Sequence, residues 1–294
     1  MKQKVVLAGG SGFIGTYIKN KLEELDYEVH MISRRKPAIT WNDQERMVKA
    51  LENAEMVINL AGKSVNCRYN ENNKREIITS RVGTTRLLGD AIKLCSNPPK
   101  LWINSSTATI YRHADDRPMT EENGEYGNGF SVEVAKKWER SFFSFAFENT
   151  RQVALRISIV LGPDGGVLIP YKNLVKLGLG GIQGDGQQMF SWIHIEDLFQ
   201  IIMFLKDRTD LEGVFNCSSP NPIQNYVFMN ALRQQLNRPY GLPAPRPVLE
   251  LGAAFIRTET ELILKSRWVI PERLLKAGYE FHFPTIKGAL ANIF

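Results

Sequence analysis

The stretch that decides the fold is Lys4-Val5-Val6-Leu7-Ala8-Gly9-Gly10-Ser11-Gly12-Phe13-Ile14-Gly15, near the start of a chain of 294 residues. The run Lys4–Ala8 is mainly apolar and β-branched, which predicts a buried strand. Beyond it, apolar residues recur with a helical period at Ile14, Ile18, Leu22 and Leu25. The stretch therefore predicts a strand, a glycine turn and a helix in succession.

The glycine turn predicts a ligand as well as a fold. Glycines between a strand and a helix permit a tight turn, close approach of a pyrophosphate to the backbone, and close packing of the helix on the strand. The free N–H groups and the positive dipole end of the helix favour phosphate at the same place. We therefore expect a dinucleotide to contact the turn, rather than a purely structural turn, through Gly9, Gly12, Phe13, Ile14 and Gly15.

The end of the next predicted strand, Tyr27–Ile32, indicates which dinucleotide binds. An NAD site of this type carries Asp or Glu there, whereas this chain reads Ser33-Arg34-Arg35-Lys36. Cations in place of a carboxylate suit a ribose 2′-phosphate. We therefore expect NADP, with Ser33 and Arg34 as contacts. The alternative is a solvated basic turn, above all for Arg35 and Lys36.

Further predicted strands alternate with predicted helices along the chain. The strands are at Glu55–Leu60, Lys100–Asn104 and Val153–Leu161, and the helices at Asn72–Leu94 and Val132–Phe147. This alternation predicts an α/β fold with a doubly wound parallel sheet of Rossmann type. We expect an NADP-binding domain over 1–162, to which 190–220 returns. A smaller substrate-binding lobe follows over 163–294, its last ~50 residues forming a small C-terminal domain.

Composition and charge exclude several classes of function. Cys67, Cys95 and Cys217 and the four histidines are scattered, so we expect neither a disulfide framework nor a metal site. The net charge of +6 is spread over the chain without a nucleic-acid-binding motif, and an anionic cofactor or a solvated surface explains it. No apolar stretch approaches the ~20 residues of a membrane span, and no signal-peptide core is evident. We expect a cytoplasmic protein that binds neither nucleic acid nor membrane.

Several motifs resemble the extended short-chain dehydrogenase/reductase superfamily, specifically an atypical epimerase-like subfamily that ends in a C-terminal domain of unknown function. The resemblance covers nearly the whole chain, in order, at Gly9–Gly15, Ile58–Val65, Lys74–Leu88, Lys136–Glu139, Ser191–Leu198, Gly213–Asn216 and Arg267–Phe281. It implies a homodimer, and further NADP contacts at Leu60, Ala61, Gly62, Glu76, Arg81, Ser105 and Val160. For Glu76 a surface charge on a helix remains the alternative.

The superfamily's catalytic residues are only partly matched. Its relatives pair a Ser or Thr with a YxxxK motif, whose lysine lowers a tyrosine pKa from about 10 so that the phenol can exchange a proton. By this resemblance Thr107 takes the hydroxyl position and is the one catalytic candidate. Ser131 and Ala135 stand where the tyrosine and the lysine are expected.

Other phenols do not obviously replace the missing tyrosine. The literal YxxxK of Tyr17–Lys21 lies on the first predicted helix, so we expect it to play no part in catalysis. Tyr111 and Tyr126 are the nearest phenols, although packed or surface tyrosines are the simpler interpretation. The same choice applies to the other polar or aromatic positions that could face a substrate, which are Gln187–Trp192, His194, Glu259 and Arg267.

Two functions follow from these observations. The first is an NADP-dependent oxidoreductase or epimerase that acts on an unidentified small molecule bound between the Rossmann core and the lobe. The second is a non-catalytic NADPH sensor or binding module that acts through a protein partner. A complete cofactor site without the Tyr-Lys pair is compatible with both.

Overall fold

A central parallel sheet organises the protein, whose computed structural model describes residues 2–245 and 264–294. The strands are β1 Lys4–Ala8, β2 Glu28–Ser33, β3 Ile39–Thr40, β4 Met56–Asn59, β5 Leu101–Thr107, β6 Arg151–Ile157, β7 Ile159–Leu161, β8 Met189–Phe190, β9 Trp192–His194, β10 Gly213–Cys217 and β11 Ile223–Gln224. The main sheet has the order β10-β6-β5-β4-β1-β2-β3, and all its pairs are parallel. The predicted doubly wound Rossmann fold is confirmed.

Helices cover both faces of this sheet and build the lobe beside it. Their bounds are α1 Phe13–Glu24, α2 Gln44–Leu51, α3 Glu71–Ile78, α4 Thr84–Lys93, α5 Phe130–Phe143, α6 Leu168–Lys176, α7 Ile195–Asp207, α8 Asn225–Gln235, α9 Glu272–Lys276 and α10 Ile286–Ile293. A π-helical turn, Thr79–Gly83, joins α3 to α4. None of the helices in residues 2–245 and 264–294 combines the length and apolar character needed to cross a membrane.

Alternation along β1 explains the layers. Leu7 packs against α1 and α7, while Val6 on the opposite face packs against α2, α4 and α5. Strands buried on both faces are typical of parallel sheets covered by helices. Because β1 pairs with β2 on one side and β4 on the other, the chain order reverses beside it. A crevice therefore forms at the carboxyl ends of β1 and β4, where ligands bind in such folds.

The predicted strand Val153–Leu161 is not continuous. Its backbone changes partner at Ser158, whose N–H donates to the carbonyl of Cys217 at 3.0 Å, while the N–H of Ile159 donates to Ser191 at 3.2 Å. As a result β6 stays in the main sheet and β7 pairs with β9. The expectation of one strand was wrong because periodicity does not reveal a change of hydrogen-bonding partner.

The lobe has its own core, in which Phe190 and Trp192 pack with side chains of α6, α8 and α10. By contrast, α7 packs on the main sheet and β10 is its edge strand, so part of 190–220 lies with the N-terminal region. Leu274 of α9 also packs into that sheet-side core. The domain boundary at residue 162 stays a prediction.

Candidate cofactor and active-site cleft

A cleft of about 560 Å³ lies at the carboxyl ends of β1, β4, β5 and β6. Most of the predicted cofactor residues and the catalytic candidate line it: Gly9, Gly12, Phe13, Ile14, Gly15, Leu60, Gly62, Arg81, Ser105, Thr107 and Val160. These residues are spread over more than 150 positions of sequence. The parallel sheet brings them together because the carboxyl ends of its strands share one edge.

The glycine turn fits a phosphate-bearing ligand. Gly12 is the N-cap of α1, so no side chain caps the helix, and its first turn contains no acidic residue. A Cβ at Gly12 would have no neighbour within 4 Å, so the space beside this glycine is open. The uncapped N–H groups and the helix dipole are thus available to a pyrophosphate.

Gly9 has a different role in the same turn. Its φ of +74° is left-handed, and an added Cβ would lie 2.5 Å from the Cα of Ala61. The β1 and β4 loops can touch only because this position has no side chain. Ala61 is 6% exposed and is not among the residues that line the cleft, so its contact with the cofactor stays a prediction.

The ring of Phe13 leaves no room for side chains at a second group of glycines. A Cβ at Gly162 or Gly165 would come within 2.7 or 2.4 Å of the Phe13 ring. The segment that follows β7 is therefore folded around this ring, next to Val160. One wall of the cleft is apolar as a consequence.

The basic turn after β2 forms a second cleft, of about 770 Å³, beside the glycine turn. Ser33, Arg34, Arg35 and Lys36 line it, together with Arg46 from α2. Arg34 is exposed, and within the described residues no hydrogen bond or ion pair holds its side chain. Such a cationic cleft suits the 2′-phosphate of NADP. Sequence reasoning missed Arg46 because nothing near it in the chain marks it as a ligand.

Arg81 places a partly buried cation at the main cleft. Its guanidinium donates to the carbonyls of Lys63 and Ile77 at 3.0 and 3.2 Å and lies over the Trp138 ring at 5.1 Å. Gly62 makes room for it, since a Cβ there would be 3.1 Å from the guanidinium carbon. Burial lowers the pKa of Arg81 to about 10, so the side chain remains charged near neutral pH.

Glu76 is less well placed. It is exposed on α3, and its carboxylate accepts from the Lys63 ammonium at 2.6 Å and from the Asn72 amide at 3.0 Å. The Lys63 hydrogen bond lowers the pKa of Glu76. Lys63 lines the cleft whereas Glu76 does not, so the cofactor contact expected for Glu76 stays a prediction.

Two polar positions at the end of β5 line the cleft. Thr107 Oγ1 accepts from the Thr109 N–H at 3.2 Å, which leaves its hydroxyl hydrogen for another acceptor. Ser105 Oγ instead donates to the carbonyl of Asn59 at 3.0 Å. Thr107 is therefore the better placed of the two to donate to a substrate oxygen.

Neither residue at the usual Tyr and Lys positions can replace the missing pair. Ala135 is fully buried in a cluster with Ala108, Tyr111 and Val269, so no cation occupies that position. Ser131 lines the cleft and lies 3.3 Å from the hydroxyl of Tyr69. Tyr69, which precedes α3, was not among the residues expected at the site, because nothing near it in the sequence indicates that it lines the cleft.

The other phenols lie outside the lining of the cleft. Tyr17 donates to Glu196 of α7, and burial together with this carboxylate raises its pKa, the opposite of what a catalytic tyrosine needs. Tyr111 accepts from Arg156 at 2.8 Å, and burial raises its pKa to about 12. Tyr126 accepts from the same guanidinium at 2.9 Å.

The remaining candidates that the structure describes are not among the residues that line the cleft. His194 caps α7 by accepting from the Glu196 N–H at 3.1 Å, and burial lowers its pKa to about 4. Trp192 is fully buried, and the backbone of Arg267, itself 7% exposed, donates to Met189 at 2.8 Å. Glu259 lies outside the described residues. Within those residues, no group of His, Cys, Asp and Glu side chains converges on a metal position.

Comparison with known proteins agrees with this geometry. Residues 5–218 match the model of the NAD dependent epimerase/dehydratase family, and residues 244–293 match a domain of unknown function, DUF1731. The human epimerase family protein SDR39U1 is 34% identical over 300 residues, covering 99% of each chain. An epimerase family protein of Staphylococcus epidermidis, SERP0438, is 28% identical over 298 residues and 99% of each chain.

Solved structures show the same relationship. The crystal structure of human SDR39U1 (isoform2) with NADPH has a TM-score of 0.90 and 32% identity, covering 99% of both chains. A nucleoside-diphosphate sugar epimerase from Corynebacterium glutamicum has a TM-score of 0.80 and 26% identity, covering 99% of this chain and 58% of that one. The resemblance inferred from the motifs is thus confirmed, and the chain belongs to the NAD dependent epimerase/dehydratase family, with DUF1731 at its C-terminus.

Proposed function

We propose that the protein is an NADPH-dependent oxidoreductase or epimerase that acts on a small molecule bearing a carbonyl or hydroxyl group. The observation that carries this proposal is the single cleft that joins the open helix N-terminus at Gly12 to the Thr107 hydroxyl and the apolar wall at Val160. The basic cleft at Arg34 supports NADPH over NADH, as does the human relative crystallised with NADPH.

In this proposal each group of residues in the two clefts has its own role. The N–H groups of α1 and the Arg81 guanidinium bind the pyrophosphate, and Arg34 binds the 2′-phosphate. NADPH, when bound, supplies hydride. Thr107 donates a hydrogen bond to the reacting oxygen and orients it. The wall formed by Phe13 and Val160 excludes water from that side of the cleft.

Cofactor preference provides the first test. Arg34→Ala should weaken NADPH binding about 10- to 100-fold and leave NADH binding unchanged, because a charge-assisted hydrogen bond contributes about 1.5–3 kcal/mol. Fluorescence titration of both cofactors measures this. Arg140→Ala, at an exposed position on α5, is the matched control and should bind like the wild type. Equal affinity of the wild type for the two cofactors would contradict the proposal.

The second candidate function is an NADPH sensor, which is favoured by the buried Ala135 at the lysine position. Absorbance at 340 nm, followed with NADPH against a library of aldehydes, ketones and keto sugars, separates the two functions. Repeated turnover of any compound supports the enzyme. High NADPH affinity without turnover, together with a protein ligand that binds only the NADPH-loaded form, supports the sensor.

A further inference from the structure

Tyr69 brings a phenol into the cleft next to the position on α5 where the usual catalytic tyrosine is missing. Its hydroxyl lies 3.3 Å from Oγ of Ser131, the residue at the usual tyrosine position on α5. Within residues 2–245 and 264–294, it is the one tyrosine that lines the cleft, on which Thr107 and Val160 also border. The phenol thus arrives from the segment between β4 and α3 instead of from α5.

The position of Tyr69 is fixed by its neighbours. Asn70, the next residue, is the N-cap of α3 and accepts from the Asn73 N–H at 2.8 Å. The Asn73 side chain in turn donates to the carbonyl of Arg68 at 2.7 Å, so both flanking residues are tied to the helix. The Tyr69 ring packs edge-on against Phe130 at 4.9 Å between centroids.

A cation also lines the cleft that Tyr69 lines. The partly buried Arg81 guanidinium borders the same cleft as Tyr69, and its positive charge attracts a negative charge on the phenol. An opposite charge favours the ionised form of a phenol, which is the effect that the lysine of the YxxxK motif provides. By contrast, Tyr17 is hydrogen-bonded to the carboxylate of Glu196, which opposes ionisation.

We propose that Tyr69 is the proton donor of this protein, an inference that rests on the proposed function and assigns a residue to it. In the reductive direction, hydride from NADPH bonds to the carbonyl carbon and the C=O π pair moves to the oxygen. That oxygen takes its proton from Tyr69 Oη, leaving an alcohol, NADP⁺ and a phenolate. The phenolate is then reprotonated by one proton taken up from the solvent, which passes through the Ser131 hydroxyl, so that the net reaction consumes NADPH and one proton. The oxidative direction is the reverse.

Nitration tests the proposal without any substrate. Tetranitromethane attacks phenolates, so the rate for each tyrosine, followed by mass spectrometry from about pH 6 to 11, on both sides of the ordinary phenol pKa of about 10, reports its ionisation. We expect the midpoint of the rate against pH for Tyr69 to lie below that for Tyr240, which is 87% exposed and serves as the internal reference. Comparing midpoints removes differences in reagent access. Arg81→Gln should move the Tyr69 midpoint upwards. A wild-type midpoint at or above that of Tyr240 would overturn the proposal.

Turnover tests it independently, with a carbonyl compound that the wild type reduces. Tyr69→Phe should lower kcat at least about 100-fold and leave the NADPH dissociation constant unchanged, since general acid catalysis contributes roughly 10²–10⁴-fold. Tyr240→Phe is the control and should behave like the wild type. Undiminished kcat in Tyr69→Phe overturns this inference alone. Absence of turnover in the wild type counts against the proposed function, and the nitration profile then still decides the state of Tyr69.

Discussion

At the scale of single residues, Gly9 and Gly12 have opposite steric demands although they belong to one turn. Gly9 is left-handed and touches the backbone of Ala61, so a side chain there strains the fold itself. Gly12 has an extended backbone, with φ −90° and ψ 177°, that any residue adopts. Only the space beside it, inside the cleft, requires that it remain glycine. The two positions therefore separate folding from binding.

Gly12→Val should consequently fold normally and lose NADPH binding at least about 100-fold, because its methyl groups fill the room needed by the pyrophosphate. Circular dichroism and urea unfolding report the fold, and fluorescence titration reports binding. Gly83→Ala is the control, since its Cβ would make an ordinary 3.6 Å contact with Thr79. A folded Gly12→Val protein that binds NADPH like the wild type would remove the turn from the cofactor site.

The residues that could be predicted are those whose role is local. The glycine turn between strand and helix and the cations directly after β2 can each be recognised as candidate ligand contacts from a few neighbouring residues of sequence. Tyr69 and Ser131 are 62 positions apart, and Arg46 reaches the cleft of Arg34 only through the packing of α2. Contacts between residues so far apart in sequence depend on tertiary structure, which periodicity and motif spacing do not reveal.

At the scale of elements, the start of α7 depends on the protonation state of His194. Its Nδ1 accepts from the Glu196 N–H, and its ring packs against Phe283 with 4.0 Å between centroids. Only the neutral imidazole can accept this hydrogen bond. Burial lowers its pKa from 6.5 to about 4 in the folded protein, although the nearby Glu196 carboxylate acts in the other direction.

A pH dependence of stability follows. Since the unfolded chain binds this proton more readily, the contribution of His194 is complete above pH 6.5 and is lost as the pH falls towards 4, by up to about 3 kcal/mol. His194→Asn keeps a capping side chain without a titrating group, so its loss of stability over this range should be smaller. Urea unfolding at pH 7, 5.5 and 4.5 measures the difference. Identical profiles for the wild type and His194→Asn would show that His194 is not responsible.

The elements themselves were largely predictable from hydrophobic periodicity. β1, β2 and β4 agree with their predicted ranges to within one residue at each end, because each has a continuous pattern and a clear end, whereas β5 extends three residues beyond its predicted end at Asn104. The break between β6 and β7 was missed since the apolar run continues through Ser158. There the choice between two sheets is made by Cys217 and Ser191, which are distant in sequence.

At the scale of the whole molecule, one buried charge pair links the main sheet to the helix that borders the cleft. Arg156 of β6 donates two hydrogen bonds to Glu139 of α5, both at 2.8 Å. The same carboxylate accepts from Ser106 of β5 at 2.6 Å, and Arg156 also donates to Tyr111, which donates to Asn216 of β10 at 2.9 Å. Because Ser106 lines the cleft, this network holds part of its floor.

Removing one partner of this pair should therefore lower the free energy of unfolding strongly, whereas replacing both partners with apolar side chains should lower it less. Arg156→Met leaves the Glu139 carboxylate buried without its partner, a change that typically costs about 3–5 kcal/mol. Adding Glu139→Leu removes the stranded charge, so the double variant should be more stable than Arg156→Met alone. Breaking the exposed contacts of Arg112 with Glu125 and Asp116 by Arg112→Met should destabilise the protein far less than Arg156→Met, because solvent screens surface ion pairs.

Urea unfolding of the four proteins measures these free energies, and NADPH titration of the folded ones shows whether the cleft floor has moved. We expect the double variant to regain stability and still bind NADPH more weakly than the wild type, because Ser106 has lost its acceptor and Tyr111 its donor. If the double variant is no more stable than Arg156→Met, the cost arises from lost packing around the guanidinium rather than from the unpaired carboxylate. α5 would then be held to the sheet chiefly by its apolar face, through Val134, Trp138 and Phe142.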